Sequence, residues 1–133
     1  MSIEQYPTWV EVNLSAVEHN TRYVTQRVGV PLMAVVKANA YGHGAVEVGK
    51  AALAGGASWL AVARLGEARV LRKAGIDAPI LIFGMVKPDE VDEAITLDVS
   101  IVMYSREVAE TFSARGLTAG KPVKAHLKVD TGL

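Results

Sequence analysis

Hydrophobic positions along the chain follow two alternating periods. Short runs rich in Val, Ile and Leu read as buried strands, and the stretches between them carry apolar residues at helical spacing and end at Gly or Pro. Alternating polarity over residues 8–13 predicts a first strand. Ser15 followed three positions later by Glu18 has the pattern of a capping box and predicts a helix from there to Gly29, ahead of Pro31. Strands are then expected at residues 32–37, 59–63, 79–83, 99–103 and 123–129. The intervening helices are expected at residues 44–54, at residues 65–74 with a stop at Gly75, from Pro88 to about Leu97, and from a Ser105 cap to Gly116.

Strand and helix thus alternate with short connections throughout. That order predicts parallel strands joined by crossover helices. No low-complexity linker divides the chain, so residues 1–133 read as one unit. A doubly wound sheet and a (β/α)8 barrel both fit the alternation. No GxGxxG follows an early strand, which weighs against a dinucleotide-binding fold. A complete barrel typically takes ~250 residues. The expected architecture is therefore α/β: an incomplete (β/α)8 TIM-type barrel with parallel strands, holding about the first five barrel strands, and the chain reads as the N-terminal fragment of a longer protein.

Composition changes this picture only by exclusion. The chain is 50% hydrophobic and 21% charged, which is ordinary for a globular core with a solvated surface. Its 14 basic residues equal its 14 acidic ones, leaving no basic excess to drive nucleic-acid binding. The absence of cysteine excludes disulfides, thiolate catalysis and Cys-based metal sites. Residues 1–7 lack the basic-then-apolar order of a secretory signal. Residues 51–63 are interrupted by Gly55, Gly56 and Ser58 and are too short to span a bilayer. A cytoplasmic protein without membrane contact is expected.

Candidate chemistry concentrates in Val35-Val36-Lys37-Ala38-Asn39-Ala40-Tyr41-Gly42-His43-Gly44. An apolar strand ends in a lysine, and a Gly-rich loop leads into a helix. In barrels, the C-terminal strand ends and the loops after them build the active site. A partly desolvated lysine there can act as an amine nucleophile toward an aldehyde. Tyr41 lies where its hydroxyl could reach an anion, and Gly42 and Gly44 permit tight turns beside it. On spacing alone, a lysine after an apolar strand is more often a solvated end-cap. His43 has no companion ligand at metal-binding spacing and reads as a loop histidine, so no metal is expected.

The string Val-Val-Lys-Ala-Asn-Ala-Tyr-Gly-His-Gly closely resembles the pyridoxal-phosphate (PLP) attachment motif of the alanine racemase family. Trp9 to Leu14 with Asn20 is similar to that family's opening strand and first helix. His126-Leu127-Lys128-Val129-Asp130-Thr131-Gly132 looks like its segment on the fifth barrel strand. The resemblance thus spans the chain. It departs at Leu133, where many relatives have Met, a mild substitution.

The resemblance implies a PLP-dependent racemase of a small amino acid, most simply alanine. Lys37 would hold PLP as the internal aldimine and serve as one of two acid–base groups at the substrate Cα. Tyr41 would hydrogen-bond the PLP phosphate. Lys128 matches a family lysine that is often carbamylated and orients a nearby arginine. The opposing tyrosine of the family comes from a C-terminal β-domain of the partner subunit, so the parent would be a homodimer and residues 1–133 alone would be inactive. A PLP-binding barrel with a cofactor-handling role and no racemase activity is the rival reading.

Pattern alone adds one further expectation. Val123, Ala125, Leu127 and Val129 share one parity and would face the helices; Lys124, His126, Lys128 and Asp130 share the other and would face the barrel lumen. The edge formed by residues 123–129 should be paired or capped. Asp89, Glu90, Asp92 and Glu93 read as an acidic helix start. Arg64, Arg69, Arg72 and Lys73 read as a solvated helix face.

Overall fold

The computed structural model of the chain describes residues 8–132; the polar start at residues 1–7 and the Leu133 departure lie outside them. In chain order the elements are α1 (Leu14–Val28), β1 (Met33–Val35), a short turn α2 (Lys37–Tyr41), α3 (Ala45–Ala54), β2 (Trp59–Val62) and α4 (Leu65–Lys73). They continue with β3 (Ile80–Ile82), a 3-10 turn (Pro88–Glu90), α5 (Val91–Thr96), β4 (Ser100–Met103), α6 (Arg106–Ala119) and β5 (Ala125–Leu127). The strands form one 5-stranded sheet in the order β1-β2-β3-β4-β5, and every neighbouring pair is parallel. Strand order never reverses. That is the winding of a barrel rather than of a doubly wound sheet, which reverses at a switch point.

Register assigns the faces. Leu60 pairs with Ile80, Val62 with Ile82 and Ile82 with Ile101, so these side chains share one face. All are buried, and they join Leu65, Leu71, Val91, Ile95 and Phe112 from the helices in the main core. Burying each such Leu or Ile is worth about 1.5–3 kcal/mol relative to exposure. The opposite parity (Trp59, Ala61, Leu81, Ser100, Val102, His126) forms the inner face. Strands three places apart in a flat sheet are separated by roughly 14 Å. Yet the ring of Trp59 on β2 meets that of His126 on β5 edge-on, with centroids 5.8 Å apart. The sheet is curled around a lumen, as an α/β partial barrel requires.

Three expectations are corrected. Residues 8–13 form no strand, and Trp9 and Val10 are exposed; the alternation is present, but no described strand pairs with it. Helix α1 is capped by Asn13, whose side chain accepts from Ala16 N, rather than by Ser15; Glu18 instead pairs with Arg22 along the helix. Helix α6 runs through Gly116 and ends at Gly120, which is left-handed at φ 63°. Gly116 is small for another reason. A Cβ there would stand 3.0 Å from Lys121 O and 3.3 Å from Val123 Cγ2, where the chain turns back toward β5.

On the basic face of α4, Arg64, Arg69 and Lys73 are exposed as expected, whereas Arg72 is half-buried. Arg69 forms a two-point ion pair with Glu93 at 2.5 and 2.8 Å. Arg72 donates to the carbonyls of Leu97, Ile76, Ala78 and Asp98, and so ties α4 to the loops entering β3 and β4. Strand β5 pairs with β4 alone, its three residues are exposed, and no described segment of the chain caps its outer edge.

Candidate active site at the strand ends

Position along β1 determines where Lys37 points. Val36 is buried against the helices, and its N–H extends the ladder by donating to Ala61 O at 2.9 Å. Lys37 has the opposite parity and faces the lumen at the C-terminal mouth. Its Nζ lies 5.4 Å from the centre of the Phe83 ring and 5.9 Å from that of Tyr41, within cation–π range of both. Phe83 follows β3 with inward parity and is an aromatic wall that the sequence pattern did not single out.

The backbone after Lys37 is unusual. Ala38, Asn39, Ala40 and Tyr41 have φ values of 50°, 54°, 53° and 56°, a full left-handed turn. Residues with a Cβ resist this conformation by about 1–2 kcal/mol each. Strain of this kind persists only where surrounding bonds over-determine it, and it clusters at functional sites. Here Ala40 N donates to Val36 O, Gly42 N to Ala38 O, and Gly44 N to Asn39 O. The Asn39 side chain accepts from Ala45 N at 2.9 Å and so caps α3. The imidazole Nδ1 of His43 sits 2.9 Å from Ala40 O, so this histidine braces the turn. Gly42 and Gly44, at φ 91° and 93°, close the turn in a region only glycine enters freely. Tyr41 ends the turn exposed, beside Lys37.

One further side chain secures the turn from outside. Glu67, in the first turn of α4, accepts from Ala38 N through Oε1 at 2.6 Å. Its Oε2 accepts from Ala63 N at 2.8 Å and Arg64 N at 3.0 Å. Glu67 was missed from sequence because its spacing to Arg64 is ordinary and its contact with Ala38 is long-range.

A cavity of about 460 Å³ opens at the same mouth, lined by Phe83, Gly84, Met85, Tyr104, Lys128 and Asp130 among others. That volume falls within the range of small-molecule pockets. Gly84 is required there, because a Cβ would stand 2.1 Å from the Ala63 carbonyl oxygen. Lys128 lies just past β5, where its N–H donates to Met103 O at 2.7 Å. Phe83 thus bounds both the Lys37 amine and the cavity bearing Lys128. All three residues expected at the site stand at the C-terminal mouth, with Lys37 and Tyr41 in mutual contact and Lys128 on the cavity wall. Arg64, at the end of β2, is exposed.

Comparison with known proteins agrees with this geometry. Residues 12–133 match the family model described as alanine racemase, N-terminal domain. The chain is 45% identical over 129 residues to the alanine racemase of Desulforamulus reducens, covering 96% of this chain and 35% of that protein. It is 51% identical over 128 residues to alanine racemase 1 of Bacillus subtilis, covering 95% of this chain and 32% of that one. Among solved structures, Bacillus anthracis alanine racemase with bound L-Ala-P superposes with a TM-score of 0.86 at 43% identity, covering 95% of this chain and 33% of that chain. The E. faecalis alanine racemase gives 0.84 at 42% identity, covering 92% and 34%. The chain spans about a third of the length of the relatives it matches. It belongs to the alanine racemase family, within the N-terminal domain.

Proposed function

We propose that this chain is the cofactor-bearing part of a PLP-dependent alanine racemase, with Lys37 as the cofactor lysine. The observation that carries the reading is the placement of the Lys37 amine: on the lumen face, at a strand end, against Phe83 and Tyr41, at the head of a strained and heavily braced turn. The residues at this mouth fit PLP chemically. An amine meets an aldehyde, an exposed tyrosine hydroxyl and a glycine-rich turn suit a phosphate, and an aromatic wall suits a planar ring. When bound, PLP supplies an electron sink for the charge left as a proton leaves the substrate Cα.

The chain's own residues divide the remaining work. Lys37 holds the cofactor, and its freed amine takes or returns a proton at the substrate Cα from one face. Tyr41 donates its hydroxyl to the phosphate. Phe83 walls one side of the cavity against water. Lys128, in carbamylated form, orients a cationic partner. Inverting Cα requires a second acid–base group on the opposite face, which we assign to a further domain contributed by the partner subunit of a homodimer. Alanine is the substrate, the protein is cytoplasmic, and residues 1–133 alone are inactive.

The test adds PLP to the purified chain, reduces with borohydride and maps the pyridoxyl adduct by mass spectrometry. An adduct concentrated on Lys37 and lost in Lys37→Ala is the expected result. Labelling spread over the lysines and unchanged by Lys37→Ala would overturn the assignment. A longer protein carrying residues 1–133 should racemise alanine and lose that activity with the same substitution.

A further inference from the structure

We infer that Glu67 is a positioning residue for Lys37, acting through the backbone rather than through the amine. The inference rests on the reading of Lys37 as the aldehyde-binding lysine, but its geometry stands independently. Each carboxylate oxygen of Glu67 has its own task. Oε2 gathers the N–H groups of Ala63 and Arg64, where β2 passes into α4. Oε1 takes the N–H of Ala38, the residue directly after Lys37, at 2.6 Å. A single side chain thereby clamps the end of β2 to the point where β1 turns left-handed.

That point is where the chain most needs a clamp. Ala38 begins four consecutive residues at positive φ, a path that alanine disfavours. The later amides of the turn find carbonyls within it or just before it, as Ala40 N does at Val36 O and Gly42 N at Ala38 O. The Ala38 amide is answered from another element, by a carboxylate. Three N–H donors converge on Glu67, which favours an acceptor-only group. Bonds from N–H groups to a charged acceptor are the stronger class. If the Ala38 amide were released, the Lys37 Cα would lose one of its two fixed flanks, the other being the ladder bond of Val36 N to Ala61 O. The Nζ would then sample positions away from Phe83.

Two substitutions separate this role from simple stabilisation of α4. Glu67→Gln keeps the length but turns an amide donor toward one of the N–H groups. Glu67→Asp is one methylene shorter: it can still cap the first turn of α4 but cannot span from Arg64 to Ala38. Both variants and the wild-type chain are compared by thermal melting, by amide hydrogen exchange resolved at Ala38, and by PLP–borohydride labelling at Lys37. The expected result is that Glu67→Asp melts near the wild type yet exchanges the Ala38 amide about tenfold faster and loses about tenfold in Lys37 labelling. Glu67→Gln should show the same two changes.

Unchanged Ala38 exchange in both variants would overturn the inference, whatever the labelling. Faster exchange with unchanged Lys37 labelling would overturn it too, leaving Glu67 a brace of the turn alone. If the wild type fails to label Lys37, the cofactor assignment falls, and with it the role of Glu67 toward an aldehyde.

Discussion

Strands β2 to β4 and strand β5 belong to one parallel ladder but are held in different ways. The central strands place Leu60, Val62, Ile80, Ile82 and Ile101 under the helices, and all five are fully buried. On β5 every residue is exposed, and Leu127 is 73% accessible although its parity faces the helix side. What holds β5 is polar and peripheral. Its ladder runs to β4 alone, His126 meets Trp59 edge-on, and Lys124 and Lys121 both pair with Asp98 at 2.7 and 3.3 Å. The same residue types on the same parity therefore carry different energies, according to whether a helix lies on each side of the strand. The comparison bears on function because Phe83, which borders the Lys37 amine, follows the central strand β3, whereas Lys128 follows the exposed strand β5.

The contrast is broken most forcefully in the core. Leu60→Ala removes a fully buried side chain from between α3, α4 and the sheet, and should cost about 2–5 kcal/mol. Leu127→Ala removes the same atoms from an exposed site and should stay within about 0.5 kcal/mol. Paired urea titrations measure both, and similar midpoint shifts would show that β5 is buried in solution. A smaller effect, about 1.5–3 kcal/mol, is expected for Arg72→Ala, which leaves the carbonyls of Ile76, Ala78, Leu97 and Asp98 without their shared donor. Arg72→Lys should recover only part of that loss, because an ammonium cannot fork toward four carbonyls. A full recovery would reduce Arg72 to a point charge.

What the sequence disclosed follows the same division. Strand centres, the alternation that yields a barrel, the stops at Gly29 and Gly75 and the Ser105 cap were all legible, because each is a local consequence of side-chain type. Gly116 misled because a glycine can mark a helix end or a close approach, and only the returning chain at Lys121 decides which. Asn13 and Ser15 are both competent caps, and the choice fell to the one whose oxygen reaches Ala16 N. The placement of Lys37, Tyr41 and Lys128 at the strand-end mouth was legible through motif and parity. Phe83 and Glu67 were not, since each meets the Lys37 segment only after β1, β2 and β3 are laid side by side. The left-handed turn was equally hidden, because two of its four residues are alanines, whose local preference opposes that conformation.

The smallest expected effect isolates β5. Hydrogen bonding from Lys124, then from Lys121, holds the Asp98 carboxyl below its usual range, against a partial opposing effect of desolvation. A carboxyl lowered in the folded state binds fewer protons than in the unfolded chain, so stability rises with pH across the window between the two values. The contribution is therefore fully present above the ordinary Asp value of about 3.9 and is lost as pH falls through the lower folded value. Asp98 and both lysines are about half exposed, so solvent screening limits the contribution to below about 1 kcal/mol. Asp98→Asn should remove that part of the acid dependence and flatten the response to added salt. It should also raise amide exchange along β5 while leaving β2 and β3 unchanged. Equal loosening of β2 would mean that β5 is cooperative with the core, and the two regions would then respond as one.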